Sequence, residues 1–170
     1  MTCFQKEAEL LRFIKDFNKD EDLGISDYFK YDYENIIIWN RSHLGEYVYA
    51  QMFRDIEPNF LKQKLISYEI AWLVNENEFN DNVYLITLTA DPEFFLSKED
   101  GSSFSKNLEE KTKELELFKE AHNFSTIKNK LLLKVDKETE IPTGTEWRMK
   151  GPNVFREKEE ILNEAITFIK

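Results

Sequence analysis

The spacing of apolar residues predicts three amphipathic helices, one each at the start, middle and end of the sequence. Residues 4–18, "FQKEAELLRFIKDFN", repeat apolar side chains every three or four positions, which is the spacing of one helix face. Residues 107–124 and 153–169 have the same period, and each begins with an asparagine, a residue that commonly caps a helix. Glu110 follows Asn107 at the spacing of a capping box.

Runs rich in β-branched and aromatic residues predict six strands. They are "NIIIWN" (35–40), "EYVYAQMF" (46–53), "KLISYEIAWLV" (64–74), "VYLITLT" (83–89), "KLLLKV" (130–135) and "TEWRM" (145–149). Side chains alternate along the second run, which predicts a hairpin turning at residues 42–45; a helix beginning at Ser42 is the alternative. A turn at residues 142–144 predicts that the last two strands pair.

This order of elements predicts one α+β domain over residues 1–170. An N-terminal helix precedes an antiparallel meander of about four strands, then a helix, two further strands and a C-terminal helix, with the helices on one face. "NIIIWN" is predicted to be a buried core strand. The layout resembles that of small acidic secretion chaperones and of the immunity proteins that share it. That resemblance implies a protein-binding role.

Cysteine content and hydropathy predict a soluble, cytoplasmic protein. Cys3 is the one cysteine, so no internal disulfide forms, which is typical of a reducing compartment. The first residues lack the apolar stretch of a signal peptide, and no apolar run approaches the ~18 residues of a membrane span. We therefore expect neither export nor a membrane partner.

Acidic residues are concentrated in two segments of the first 100 positions. The chain has 33 Asp and Glu against 23 Lys and Arg, a net charge of −10, which disfavours binding to nucleic acid. Residues 101–170 are balanced, whereas residues 16–34 carry 7 acids and 2 bases and residues 75–100 carry 7 acids and 1 base. Such runs are often only solvated loops.

The predicted meander would bring residues 16–34 and 90–100 to one end of the sheet. A concentrated acidic field there attracts a basic protein partner, and neighbouring tyrosines can anchor it. The sequence thus favours a non-enzymatic domain that neutralises or chaperones a basic protein, as immunity proteins, antitoxin-like inhibitors and secretion chaperones do. The predicted partner-binding residues are Asp27, Tyr28, Tyr31, Asp32, Tyr33, Glu34, Asp91 and Glu93.

Few residues are available for catalysis or for holding a cofactor. Two histidines far apart and a single cysteine predict no metal site, and five scattered glycines form no phosphate-binding loop. A Ser-His-acid triad could use Ser42 or Ser67 with His43, but no G-x-S-x-G motif is present, so His43 is predicted to lie in the turn. His122 is predicted to be a helix cap or a surface residue. The sequence predicts no catalytic residue and no cofactor.

One enzymatic alternative comes from the C-terminal sequence "FREKEEILNEAITFIK". It resembles the Glu-x-Glu strand that ends many ADP-ribosyltransferases, with Glu157 and Glu159 at the carboxylate positions. "TLTADP" and Arg41 are similar to that family's Ser-x-Ser strand and NAD-binding arginine. The resemblance implies NAD as cofactor and a second Glu that polarises the ribose. The same residues fit an amphipathic helix, which would exclude this alignment.

Overall fold

The computed structural model describes residues 43–71, 83–101, 103–142 and 148–170. The order of elements is α1 (His43–Arg54), α2 (Pro58–Glu69), β1 (Tyr84–Thr89), α3 (Pro92–Ser97), α4 (Leu108–Phe124), β2 (Asn129–Lys134), β3 (Asp136–Pro142), β4 (Arg148–Phe155) and α5 (Lys158–Ile169). The prediction of a mixed helix and strand architecture is confirmed. The predicted helix at 4–18 and the strand at 35–40 lie outside the described residues.

Helix α1 replaces the predicted second strand and its turn, and it agrees with the alternative of a helix beginning at Ser42. Tyr47 and Val48 are adjacent and both are buried. Neighbouring residues of a strand point to opposite faces of the sheet, so a strand with one buried face could not bury both Tyr47 and Val48. Leu44 and Val48 share the helix face at a spacing of four, which buries them with Tyr47 against α2 and α4.

Helix α2 replaces most of the predicted third strand. Pro58 occupies its first turn, where a missing N–H costs nothing. The Glu57 carboxylate accepts hydrogen bonds from the N–H groups of Asn59 at 3.0 Å and Phe60 at 2.8 Å, which lowers the pKa of Glu57. Leu61 and Leu65, spaced by one turn, are buried on the face toward α1. Positions 72–74 of the predicted strand lie outside the described residues.

Strands β1 and β2 confirm the fourth and fifth predicted strands, but they pair in parallel. The register runs from Tyr84 opposite Asn129 to Thr89 opposite Lys134. The parallel pairing follows from α3 and α4, which cross between the two strands, as parallel neighbours require. The predicted four-strand antiparallel meander is wrong, because α1 and α2 replace its second and third strands. Helix α3 forms inside a segment predicted to be a plain connector.

Strands β3 and β4 form a second, antiparallel sheet. β3 follows β2 after one residue, Val135, so the hairpin partner of the last strand is β3 and not the predicted "KLLLKV" strand. A register shift between Glu138 and Glu140 marks a bulge, where the Thr139 hydroxyl donates to the Pro152 carbonyl at 2.7 Å. The predicted turn lies between these two strands, largely outside the described residues.

Helices α4 and α5 confirm the other two predicted helices. The Asn107 side chain accepts from the Glu110 N–H at 2.9 Å, and Glu110 in turn accepts from the Lys106 N–H at 2.6 Å. α5 starts later than predicted, because residues up to Phe155 belong to β4. Asn153 is therefore not its cap; its side chain donates instead to the buried Asp136 carboxylate.

Two clusters of apolar side chains lie between these elements. The larger joins α1, α2, α4 and β1, and the smaller surrounds Phe94 and Val135, with Ile161 of α5 packed against it. No helix within the four described ranges is long and apolar enough to cross a membrane.

Candidate functional site

Six of the eight predicted partner-binding residues lie outside the part of the chain that the structure describes. The residues that lie outside the described part of the chain are Asp27, Tyr28, Tyr31, Asp32, Tyr33, Glu34 and, for the enzymatic alternative, Arg41. The prediction that residues 16–34 meet residues 90–100 depended on an antiparallel meander. The replacement of its second and third strands by α1 and α2 removes that geometric reason.

Asp91 and Glu93 lie at the start of α3. The Asp91 carboxylate accepts hydrogen bonds from the N–H groups of Glu93 at 2.9 Å and Phe94 at 3.2 Å, so it caps the helix. The Asp91 N–H donates to Asp136 at 3.3 Å. The carboxylate of Asp91 is thus already engaged within the fold, whereas Glu93 is exposed.

Glu157 and Glu159 lie at the start of a helix. Glu157 is the residue before α5, and Glu159 is in its first turn. The alignment with a Glu-x-Glu strand needs both carboxylates on an extended strand, where they would share one face. The helix therefore removes the structural basis of that alignment.

An exposed group of aromatic rings lies where α1 meets the segment before α4. We call Tyr49, Phe53 and Phe104 the aromatic patch. Tyr49 lies 6.3 Å from Phe53 and 5.4 Å from Phe104, and the latter two are 6.1 Å apart, all between ring centroids. Phe53 remains 46% exposed and Phe104 62% exposed. Phe118 of α4 supports the patch, with its ring 5.9 Å from Tyr49 at near right angles.

Two local features of the sequence position these rings. Tyr49 and Phe53 are four residues apart in α1, which places them on one side of the helix. Phe104 belongs to the segment after α3, which the Glu99 carboxylate organises. Glu99 accepts from the N–H groups of Gly101 and Ser103, both at 3.1 Å. Gly101 has a φ of 86°, a conformation that favours glycine.

Lys111 fixes this segment to α4 and makes it sensitive to acid. Its ammonium lies 2.7 Å from Glu99, and with the N–H of Ser103 it lowers the pKa of Glu99 from 4.5 to about 2. The ionised form is therefore favoured in the folded state. Its stabilising effect is present above the ordinary pKa and is lost as the pH falls from there toward the folded pKa.

We expect Glu99→Gln to destabilise the protein at neutral pH, because it removes the ionised acceptor. The difference from wild type should be constant above pH 4.5 and should shrink as the pH falls toward 2. Urea unfolding across this range measures it. A difference that is independent of pH would contradict the role of the Glu99 charge.

A carboxylate lies against the aromatic patch. The Tyr49 hydroxyl donates to Glu114 at 2.5 Å, and Glu110 precedes Glu114 by one turn of α4. Three cations of these segments have partners within the fold: Arg54 lies 2.8 Å from Glu46, Lys111 bonds Glu99, and the Lys106 ammonium donates to the Gly101 carbonyl. The patch therefore combines exposed π surfaces with acidic groups, which is a suitable environment for a cation.

A second polar group is buried beneath α1 and α2. The buried His43 donates from Nε2 to Glu69 at 2.8 Å, and Ser125 donates to the same oxygen at 2.7 Å. Thr126 donates to the other oxygen from its N–H at 2.5 Å and its hydroxyl at 2.8 Å. Burial raises the pKa of Glu69, but these hydrogen bonds outweigh burial and hold that pKa below its ordinary value. We call these four residues the Glu69 cluster.

The Glu69 cluster holds three elements together and cannot reach a substrate. Glu69 is 0% and His43 2% exposed. Ser125 hydrogen-bonds the carboxylate and not the imidazole, so it lacks the base that a nucleophilic serine requires. The predicted position of His43 in a turn is wrong, because it begins α1. Nδ1 of His43 has no hydrogen-bond partner within the described ranges.

His122 is also buried, contrary to its predicted place at the surface. Its Nδ1 lies 2.9 Å from the Thr87 hydroxyl, and burial together with the nearby Lys130 charge lowers the pKa of His122. The last residues of α4 are held instead by the Lys130 ammonium, which donates to the carbonyls of His122, Asn123 and the C-cap Ser125. No set of three His, Cys, Asp or Glu side chains in the described segments could hold a metal ion.

The sequence did not indicate the aromatic patch because Phe53 was assigned to a strand and Phe104 to a connector. The spacing of Tyr49 and Phe53 by four residues is the signal that a helical interpretation would have used. The chain matches no protein-family model, no curated protein and no solved structure.

Proposed function

We propose that this protein is a non-enzymatic binding domain that engages a basic protein partner through the aromatic patch. One observation carries the proposal: Phe53 and Phe104 stay 46% and 62% exposed while they pack around Tyr49, whose hydroxyl is held by a carboxylate. Exposed clusters of aromatic side chains commonly mark protein-binding sites, where such residues supply most of the affinity.

The chemistry of the patch suits arginine or lysine side chains of the partner. A guanidinium or ammonium group above an aromatic face gains about 0.5–2 kcal/mol, more as water is excluded. A planar guanidinium can also bond a neighbouring carboxylate, and Glu114, which accepts from the Tyr49 hydroxyl, provides one at the patch. The net charge of −10 adds long-range attraction to a basic partner.

The same proposal indicates what binding would do to the partner protein. A domain that covers the basic surface of another protein can neutralise it, as immunity proteins and antitoxin-like inhibitors do, or protect it before use, as secretion chaperones do. Glu93 is exposed and would add to the attracting field. The enzymatic alternative is not proposed, because Glu157 and Glu159 lie at the start of α5.

We expect a short cationic peptide of arginine and leucine to bind the protein, and Phe104→Ala or Phe53→Ala to weaken binding about 10-fold or more. Fluorescence anisotropy of the labelled peptide measures the dissociation constant. Phe60→Ala is the matched control, since Phe60 is 50% exposed and its ring lies against Lys64. It should change the affinity by less than about 2-fold.

Two further binding measurements test whether charge attraction contributes to the affinity for the peptide. The affinity for the cationic peptide should fall as ionic strength rises, because salt screens the attraction. A peptide with glutamate in place of arginine should not bind. Equal binding of both peptides, or wild-type affinity in Phe104→Ala, would contradict the proposal.

A further inference from the structure

Helix α5 has two apolar stripes, of which one packs on the domain. On the inner stripe, Ile161 packs near Phe94 and Val135, and the Phe168 ring lies 5.7 Å from Tyr84 of β1. The other stripe, which we call the outer stripe, consists of Leu162, Ile166 and Ile169. These are 57%, 39% and 42% exposed, and their spacing of four and three places them on one side of the helix.

Opposite charges stand at the two ends of the outer stripe. Glu159 precedes Leu162 by one turn, and Lys170 follows Ile166 by one turn. Neither has an ion-pair partner among the described residues. By contrast, Arg156 holds the acids on another side of α5, with Glu160 at 3.1 Å and Glu164 at 2.7 Å.

This pattern is complementary to itself when two α5 helices run antiparallel. With the two-fold axis beside Glu164, Leu162 of one copy faces Ile166 of the other. The same axis brings Glu159 of each copy against Lys170 of the other, because Glu159 lies five residues before the axis and Lys170 six residues after it, about 7.5 and 9 Å along the helix at ~1.5 Å per residue. One ion pair then closes each end of the apolar contact.

A hollow at the start of α5 fits the same arrangement. It has a volume of about 600 Å³ and is lined by residues 155–159 and by Ile161. Phe155 is 52% exposed there. In the antiparallel arrangement, Ile169 of the second copy lies opposite Glu159 and so covers this hollow. The apolar contact thus continues beyond the outer stripe at both ends.

We infer that two copies of this chain associate through antiparallel packing of their α5 helices. The interface is of the self-complementary kind that gives a closed two-fold dimer. A pair of three-turn helices buries less than the ~800 Å² per partner of a standard stable interface. The dimer is therefore weak, with a dissociation constant in the micromolar range. This inference is independent of the aromatic patch.

Sedimentation equilibrium of the full chain over micromolar to near-millimolar concentration tests the inference. We expect a reversible monomer–dimer equilibrium, and Ile166→Asp should raise its dissociation constant at least about 10-fold. Thr167→Asp adds the same charge to the next residue of α5, which is also exposed but lies off the outer stripe, and should leave the constant unchanged. Phe104→Ala, which disables the aromatic patch, should also leave it unchanged.

A charge exchange tests the orientation of the helices. Glu159→Lys alone or Lys170→Glu alone should weaken the dimer about 3- to 10-fold, because each creates two like-charged contacts per dimer. The double variant should restore wild-type association. A chain that is monomeric throughout the concentration range would overturn the inference. So would an Ile166→Asp variant that loses thermal stability without any change in association, since the outer stripe would then be covered within one chain.

Discussion

Glu69→Ala is expected to lower the free energy of unfolding by about 3–5 kcal/mol, the largest effect of any single substitution considered for this protein. The carboxylate is fully buried and accepts four hydrogen bonds. Its removal leaves the buried His43 and Ser125 and the half-buried Thr126 as donors with no acceptor, and each buried group in that state costs about 1–3 kcal/mol. Urea unfolding followed by circular dichroism measures the loss.

An exposed glutamate provides the control for this substitution. Glu116→Ala in α4 should change stability by less than about 0.5 kcal/mol, because Glu116 is exposed to solvent. If Glu69→Ala fails to fold, Glu69→Gln, which preserves the size of the side chain, allows the comparison. A loss no greater than that of Glu116→Ala would contradict the role of the Glu69 cluster.

The charge of Glu69 also predicts a pH dependence. Its pKa is lower in the folded state than the ordinary value of 4.5, so the ionised form stabilises the fold. The advantage of wild type over Glu69→Gln should be complete above pH 4.5 and should decline from there toward the lower folded pKa, because the unfolded chain takes up a proton that the folded carboxylate does not. Urea unfolding of both proteins at a series of pH values measures it.

Leu65→Ala should cost about 2–5 kcal/mol, because it leaves a cavity where α2 packs on the core. Leu65 is 0% exposed and belongs to the larger apolar cluster with Leu61 and Leu85. Gln63→Ala on the exposed side of the same helix should be neutral within about 0.5 kcal/mol. Thermal and urea unfolding measure both variants. Equal losses for the two would contradict the packing of α2 described above.

Elements whose local signals agree with their packing could be predicted from the sequence. α4 has a helical period, an N-cap in Asn107 and a matching Glu110, and all three appear in the fold. β1 and β2 are short apolar runs bounded by polar residues, and both form strands. In these segments the intrinsic preferences and the tertiary contacts favour the same conformation.

The sequence predicts α1 only as the alternative to a strand and does not predict α2, because the composition of both segments favours strands. Both contain tyrosine and β-branched residues, which are enriched in sheets, and alternation at Tyr47 and Tyr49 strengthened that prediction. Packing against α4 decides otherwise, since the Tyr47 hydroxyl donates to Glu120 at 2.9 Å and the Tyr49 hydroxyl donates to Glu114. Such long-range contacts override a weak local preference.

The Glu69 cluster and the aromatic patch each depend on residues that are distant in sequence. Glu69 meets Ser125 and Thr126 only because α2 packs beside the end of α4, and Phe104 joins Phe53 only because Glu99 folds its segment toward α1. Neither of these contacts follows from the periodicity or composition of the sequence. The acidic net charge, by contrast, follows directly from the amino-acid composition.

Mapping the cationic peptide by NMR chemical-shift changes tests the proposed function most directly. Backbone amides of the isotope-labelled protein would be followed during titration with the peptide, in wild type and in Phe104→Ala. The proposal predicts that the largest changes cluster at Tyr49, Phe53 and Phe104, with smaller ones at Glu110 and Glu114, and that they vanish in the variant. Changes confined to Asp91 and Glu93, or unaltered by Phe104→Ala, would contradict it.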